Sequence, residues 1–331
     1  MQRVDFARVL RPTAVQAVRH FTQQVTAADG VSPFDEQTLL DIANPDAATS
    51  YALIFQPRAD DGVAGEVPTL LGFAAADLRN NSLELAVHPR ARRQGYGTAL
   101  LGLSKELPGG TVWAHGNLPA ALAFAQHNML PPVRELLVLE RKIVATAHQA
   151  GAVYPAQAMP TQAGWQLDTF QPDDLPELVA LNSRAFAQHP EQGQLVATDF
   201  TQRFAQDWFD PQLLYLLRPA QSQTKRSAAQ RSAEQQRIKP QRAKLGGFVW
   251  LKPDPPQVEL YVLGVDPAEQ GQGLGSYLIQ VALHAAWQNG YQKIVLYVDG
   301  ANLPAVRAYT RAQFTVQARH TAFRVPQLAK I

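Results

Sequence analysis

Apolar residues recur along this chain in two alternating rhythms. Residues 273–289 place Leu274, Tyr277, Leu278, Val281, Ala282, Ala285 and Ala286 at i, i+3, i+4, i+7 spacing, the stripe of a helix with one buried face. Residues 13–30, 36–43, 118–127, 173–186 and 303–312 read as further helices. Between them lie short apolar or alternating runs of β type: 51–55, 70–77, 83–87, 112–114 and 133–141, then 165–170, 213–217, 245–252, 259–265, 293–298 and 314–323. Gly62 and Gly65 mark a turn between the first two strands. The order predicts two α/β halves, each a central, mostly antiparallel mixed sheet flanked by helices. The expected boundaries are 1–142, a linker at 143–163 rich in Ala, Gln, Gly and Pro, and 164–325.

The halves repeat one another. Residues 83–98 read LELAVHPRARRQGYGT and residues 261–276 read YVLGVDPAEQGQGLGS. Val87 matches Val265 at an offset of 178, while NLPAALAF at 117–124 matches NLPAVRAY at 302–309 at an offset of 185. A period this long signals duplicated domains rather than stacked short repeats. In each copy a strand ends at His-Pro or Asp-Pro, and a glycine-rich turn opens a helix. Glycines admit a ligand close to the backbone, and the first turn of a helix offers unpaired N–H groups and partial positive charge, a cradle for phosphate. A dinucleotide-binding unit fits poorly, because the motif follows a hairpin and an Asn-x-x-Ala segment comes next.

Composition narrows the picture. The 331 residues suit two domains, and 46% hydrophobic content suits a globular chain. There is no cysteine, so no disulfide framework or thiol nucleophile is expected. No apolar run is long enough to span a membrane, and a cytoplasmic location is expected. The net charge of +2 conceals a tract at 219–244 with seven Lys/Arg and one acid, which reads as a disordered basic loop, with an anion- or RNA-binding arm as the alternative. The rest is acidic, which argues against nucleic acid as a partner. His88, His115, His127, His189, His284 and His320 show no metal-ligand spacing, so packing or surface roles and no metal are expected.

The cradles resemble the signature Gln/Arg-x-x-Gly-x-Gly/Ala of the GCN5-related N-acetyltransferases. One copy reads Gln270-Gly271-Gln272-Gly273-Leu274-Gly275, followed by Ser276; the other reads Arg92-Arg93-Gln94-Gly95-Tyr96-Gly97, followed by Thr98. The resemblance implies acetyl-CoA as co-substrate, held by Leu263, Gly264 and Val265 on the preceding strand, by Gln270 to Ser276, and by Asn302, Leu303, Pro304, Ala305, Val306 and Arg307. In the first copy it implies Leu85, Ala86 and Val87 with Arg93 to Thr98. Glu259, six residues before Val265, is the candidate general base, and Tyr309 the candidate general acid for the departing thiolate. Similarity to tandem members of the family further implies a monomer with a small-molecule amine acceptor, cysteinyl-glucosaminyl-inositol, contacted by Glu36, Glu191, Lys252, Tyr297 and Glu259. Lys252 precedes a short proline-rich loop, PDPPQV, that leaves its reach open.

The duplication supplies a comparison within the chain. Asn81 stands at the counterpart of Glu259 and Phe124 at that of Tyr309. Asparagine takes no proton near neutral pH, and phenylalanine has none to give. The first copy is therefore expected to be catalytically inactive, either binding acetyl-CoA or only supporting the fold. An acetyltransferase for another small amine or a protein N-terminus, or a non-catalytic acyl-CoA sensor, shares the cradles; a sensor needs neither Glu259 nor Tyr309.

Overall fold

The structure, a computed structural model, describes residues 4–57, 69–143, 159–189, 191–220 and 244–325. By contacts the chain divides into two compact units. The first comprises Met1–Leu137, Asp299–Ala301 and Ala318–Ile331; the second comprises Val138–Val298 and Asn302–Gln317.

The first unit contains β1 (Asp5–Ala7), α1 (Pro12–Asp29), α2 (Glu36–Asp41), β2 (Thr49–Phe55), β3 (Leu70–Asp77), β4 (Ser82–Val87), α3 (Tyr96–Leu101), β5 (Thr111–Ala114) and α4 (Pro119–His127). It also takes the start of β6 (Pro132–Lys142) and the end of β12 (Thr315–Arg324). Its strands run in the order β1-β2-β3-β4-β5-β12. All pair antiparallel except β4 and β5, whose parallel ladder covers only Ser82–Thr111 and Leu83–Val112. Helix α1 starts at a proline, which loses nothing at a position whose N–H is unpaired, and stops at Gly30 with φ 74°. It lays Val18, Phe21 and Val25 against Tyr51, Leu53, Phe73 and Ala75. A second cluster joins Leu100 and Leu103 to Ile54, Leu83 and Val112.

The second unit contains the end of β6, then β7 (Trp165–Thr169), α5 (Leu175–Ala185), α6 (Ala197–Phe204), β8 (Leu214–Pro219), β9 (Gly247–Asp254), β10 (Gln257–Val265), α7 (Leu274–Gln288), β11 (Lys293–Asp299), α8 (Leu303–Arg311) and the start of β12. Strand order is β6-β11-β10-β9-β8-β7. Strands β10 and β11 are parallel over Gln257–Glu259 and Lys293–Val295; β9 and β10 are antiparallel with a register shift between Leu260 and Val262. Under α5 and α6 lies an aromatic core of Phe170, Phe200, Phe248 and Trp250 with Leu178 and Leu181.

Two features differ from the sequence expectation. The run at 314–323 was expected to close the second half, but Thr321–Arg324 pairs with β5 of the first unit, and contacts divide the chain inside β6 and β12 rather than at residue 142. Elements β1 and α6 also lie outside the expected set. In α6 the signal was the side chain of Asp199 reaching back 2.8 Å to the Val196 N–H. Residues 144–158 of the expected linker and 221–243 of the basic tract lie outside the described residues.

Candidate active site

In the second unit the turn after β10 is built as the sequence implies. Asp266 accepts from the Ala268 N–H at 3.0 Å and is gripped by Arg184 Nε at 2.9 Å and Lys244 Nζ at 3.0 Å. Burial alone would raise its carboxyl; the backbone and cationic donors outweigh this and hold it below the usual range. Gly271 and Gly273 both sit at φ 81°, and Gly273 caps the 15-residue α7. A Cβ at Gly271, Gly273 or Gly275 would meet nothing within 4 Å, so the face of the cradle is open to a ligand. Gly264 on β10 is different: a Cβ there would lie 2.6 Å from Phe248. At the other flank Asn302 Oδ1 accepts from the Ala305 N–H at 3.2 Å and caps α8. Leu303, just inside that helix, is 56% exposed, so an apolar side chain is free to meet a ligand.

The structure brings three of the acceptor candidates together. Lys252 on β9 is the direct cross-strand partner of Glu259 on β10. Tyr297 lies on β11, two residues past Val295, which also pairs with Glu259. Partial burial, the charge of Glu259 and the charge of Asp254 push the Tyr297 hydroxyl up to about 12. Tyr309 lies on α8, buried, with its ring edge-on to Phe314 at 5.6 Å. Burial pushes its phenol well above the ordinary value, so it keeps its proton at neutral pH. Glu191 stands at the start of a short turn, Gln192–Gln194, in the same unit. Glu36 opens α2 of the first unit, behind the Asp35 cap.

The first unit has a cradle of the same design with different parts. His88 takes the place of Asp266 and accepts from the Arg90 N–H at 3.2 Å. Arg92 Nε donates to the Val87 carbonyl at 3.2 Å, as Gln270 Nε2 does to Val265 at 3.5 Å, and Arg92 is also clamped to Asp29. Gly95, at φ 85°, caps a helix of only six residues. A cavity of about 770 Å³ lies here, lined by Leu85, Val87, Arg93, Gly95, His115 and Phe124 among others. Asn81 falls in the turn before β4, with φ 52°, and its amide donates to the Pro108 carbonyl. Phe124 leans on Gly97, whose Cβ would lie 3.1 Å from the ring. Counting the extra residue in β10, the first-unit counterpart of Glu259 is Ser82, paired with Asp77 as Glu259 is with Lys252, rather than the Asn81 expected from the sequence offset; the counterpart of Tyr309 is the apolar wall of Phe124.

Sequence reading missed two groupings. Glu84, His115 and His320 form a chain in the first unit: His115 Nε2 lies 2.5 Å from Glu84 Oε1, and His115 Nδ1 lies 3.0 Å from His320 Nδ1. Both Glu84 oxygens accept from the Asp35 N–H at 3.1 Å. In the second unit Trp208 and Tyr261 flank Lys252. Among the described residues, no group of three or more acidic or histidine side chains is placed to hold a metal ion, and no helix is long and apolar enough to cross a membrane.

The description "Acetyltransferase (GNAT) family" matches residues 194–314. A mycothiol acetyltransferase of Clavibacter sepedonicus is 37% identical over 316 residues, 95% of this chain and 92% of that protein. One of Catenulispora acidiphila is 37% identical over 338 residues, 95% of this chain and 97% of that protein. Among solved structures, a GCN5-related N-acetyltransferase from Sphaerobacter thermophilus shares the fold at TM-score 0.60 and 20% identity, covering 98% of this chain and 97% of that one. A tandem GNAT protein from the clavulanic acid biosynthesis pathway does so at TM-score 0.64 and 15% identity, covering 99% and 100%.

Proposed function

The chain belongs to the mycothiol acetyltransferase family and is an acetyltransferase of the GNAT type; from that premise we propose that it transfers the acetyl group of acetyl-CoA to the cysteinyl amine of cysteinyl-glucosaminyl-inositol, giving mycothiol. The observation that carries this reading is the asymmetry of the units. The second sets Glu259 on the strand before its cradle, with Lys252 and Tyr297 near it, and Tyr309 on α8 where the first has Phe124; the carboxylate on the first unit's corresponding strand, Glu84, is taken up by His115 and the Asp35 N–H.

The reaction is one of direct transfer. The acceptor ammonium gives a proton to Glu259 through a water, and the freed amine attacks the thioester carbonyl carbon. As the C–N bond forms, an electron pair moves onto oxygen, where a backbone N–H of the Leu263–Val265 segment stabilises it. The attacking nitrogen, now positively charged, gives its second proton to solvent water; the pair returns, the C–S bond breaks, and the CoA sulfur takes a proton from Tyr309, whose phenolate is reprotonated from solvent. Residues 270–276 hold the pyrophosphate, and 302–307 meet the cofactor further along; holding both reactants together supplies much of the acceleration. Lys252, Tyr297 and Glu191 are read as contacts for the hydroxyl-rich acceptor. The first unit is read as a second acyl-CoA site without turnover, supported by its cavity beside Arg93–Thr98. The protein is read as a cytoplasmic monomer that acts on a small molecule, without nucleic acid or metal.

The test is thiol release from acetyl-CoA with a panel of amines. Rapid release with cysteinyl-glucosaminyl-inositol alone is the expected result. Equal release with an aminoglycoside or a polyamine would sink the acceptor assignment, and release with none would favour a sensor. Native mass spectrometry should count two CoA equivalents per chain.

A further inference from the structure

We infer that Trp208 and Tyr261 are positioning residues for the acceptor, acting through Lys252: their ring faces form a seat that fixes the lysine ammonium beside Glu259. This rests on the reading of Lys252 as an acceptor contact.

Lys252 Nζ lies 4.9 Å from the centre of the Trp208 ring and 5.3 Å from that of Tyr261. Both distances are inside the range of about 6 Å over which an ammonium is attracted to an aromatic face. The two rings meet at 5.4 Å and 63°, so they make a corner with two converging faces rather than a stack. Each wall is anchored in the core. Tyr261 sits at the register shift between Leu260 and Val262, the one extra residue that re-aims a side chain on a strand. Its hydroxyl accepts from Arg203 Nε at 2.8 Å, and its ring stands edge-on to Trp250 at 5.0 Å. Trp208 packs on the same Trp250 at 5.6 Å, and Trp250 is only 1% exposed. The seat is therefore more rigid than what it holds.

That matters for a lysine. Its four-carbon stem has many rotamers, and ordering it costs conformational entropy. A seat built by the fold meets that cost before the acceptor arrives, which is preorganisation. Lys252 and Glu259 are direct cross-strand partners, so their side chains leave the sheet on the same face. An acceptor carrying hydroxyls next to an amine would meet both, the hydroxyls donating and accepting around the lysine while the amine faces the carboxylate.

The experiment is a double-mutant cycle on the full chain, with cysteinyl-glucosaminyl-inositol as the varied substrate. Lys252→Met should raise the acceptor KM about tenfold while leaving the acetyl-CoA KM in place. Trp208→Leu should raise the acceptor KM by a similar factor, and Trp208→Phe, which keeps a ring face, should restore most of it. The double variant Trp208→Leu/Lys252→Met should be no worse than Lys252→Met alone, because the tryptophan acts only through the lysine. Fully additive effects would overturn the inference and leave the reading of Lys252 intact. An unchanged acceptor KM in Lys252→Met would overturn that reading and the inference with it. Should Trp208→Leu not fold, Tyr261→Leu, with Tyr261→Phe as its rescue, carries the same cycle from the other wall.

Discussion

Glu259→Gln keeps the size and hydrogen-bonding reach of the side chain but cannot take a proton, so kcat/KM should fall by about 100-fold or more, as read by thiol release under limiting acceptor. Tyr309→Phe keeps the ring against Phe314 and should lower kcat while leaving the acetyl-CoA KM unchanged. Its phenol is pushed up by burial, so in the parent enzyme no alkaline loss from this group should appear near neutral pH. The histidine chain makes a prediction of a different kind. Burial lowers His320 to about 4, with the charge of His115 adding to the effect and Glu84 opposing it. A histidine held below its ordinary 6.5 favours the folded state fully above that value and withdraws its support as pH falls toward 4. His115 runs the other way. Burial would lower it, but the charge and hydrogen bond of Glu84, with Asp35 behind, raise it; its contribution is complete below the ordinary value and fades as pH rises through the folded one. Thermal unfolding between pH 8 and 4, followed by circular dichroism, should show an acid-side loss that His320→Asn moves to lower pH. Glu259 and Tyr309 are singled out in the sequence by their distances from repeated landmarks. The histidine chain is not: its two imidazoles are 205 residues apart, and no spacing rule joins them.

At the scale of elements, the two cradles offer a matched pair of tests. Gly273 at φ 81° and Gly95 at φ 85° hold backbone that a β-branched residue enters only with strain of about 1–3 kcal/mol. Gly273→Val should raise the acetyl-CoA KM at least tenfold, seen in steady-state kinetics. Gly95→Val should reduce the CoA count from two to one in native mass spectra. Sequence periodicity placed the long elements, since a helical stripe or an alternating strand is a local property of the residues that form it. It did not place β1, whose three residues give no period, nor the register shift in β10. On that strand, buried and half-buried positions alternate through all nine residues, and the shift shows only in how β9 answers it. The aromatic walls around Lys252 were invisible for a related reason: Trp208 lies on a loop after α6, and only the fold brings it to β9.

For the whole molecule, the duplication was legible and its partition was not. A repeat fixes how many units there are, but each unit's last strand is chosen by pairing, and the runs at 133–141 and 314–323 are both plausible closing strands. The structure gives the end of β12 to the first unit, where Ala322 and Phe323 pair with Trp113 and Val112 and Phe323 lines the cavity. A fragment of residues 1–142 should therefore lack cooperative unfolding by circular dichroism; a sharp transition in that fragment would show that β12 is dispensable.

The same strand sets a schedule for biosynthesis. Leu137 leaves the ribosome long before Ala318, and at about 5–20 residues per second the interval is roughly 10–40 s. Throughout that time the first unit presents β5 as an unfinished edge, a template for any passing strand. The copy made first is thus the copy finished last, and its maturation waits on the translation of Ala318 and the residues that follow it.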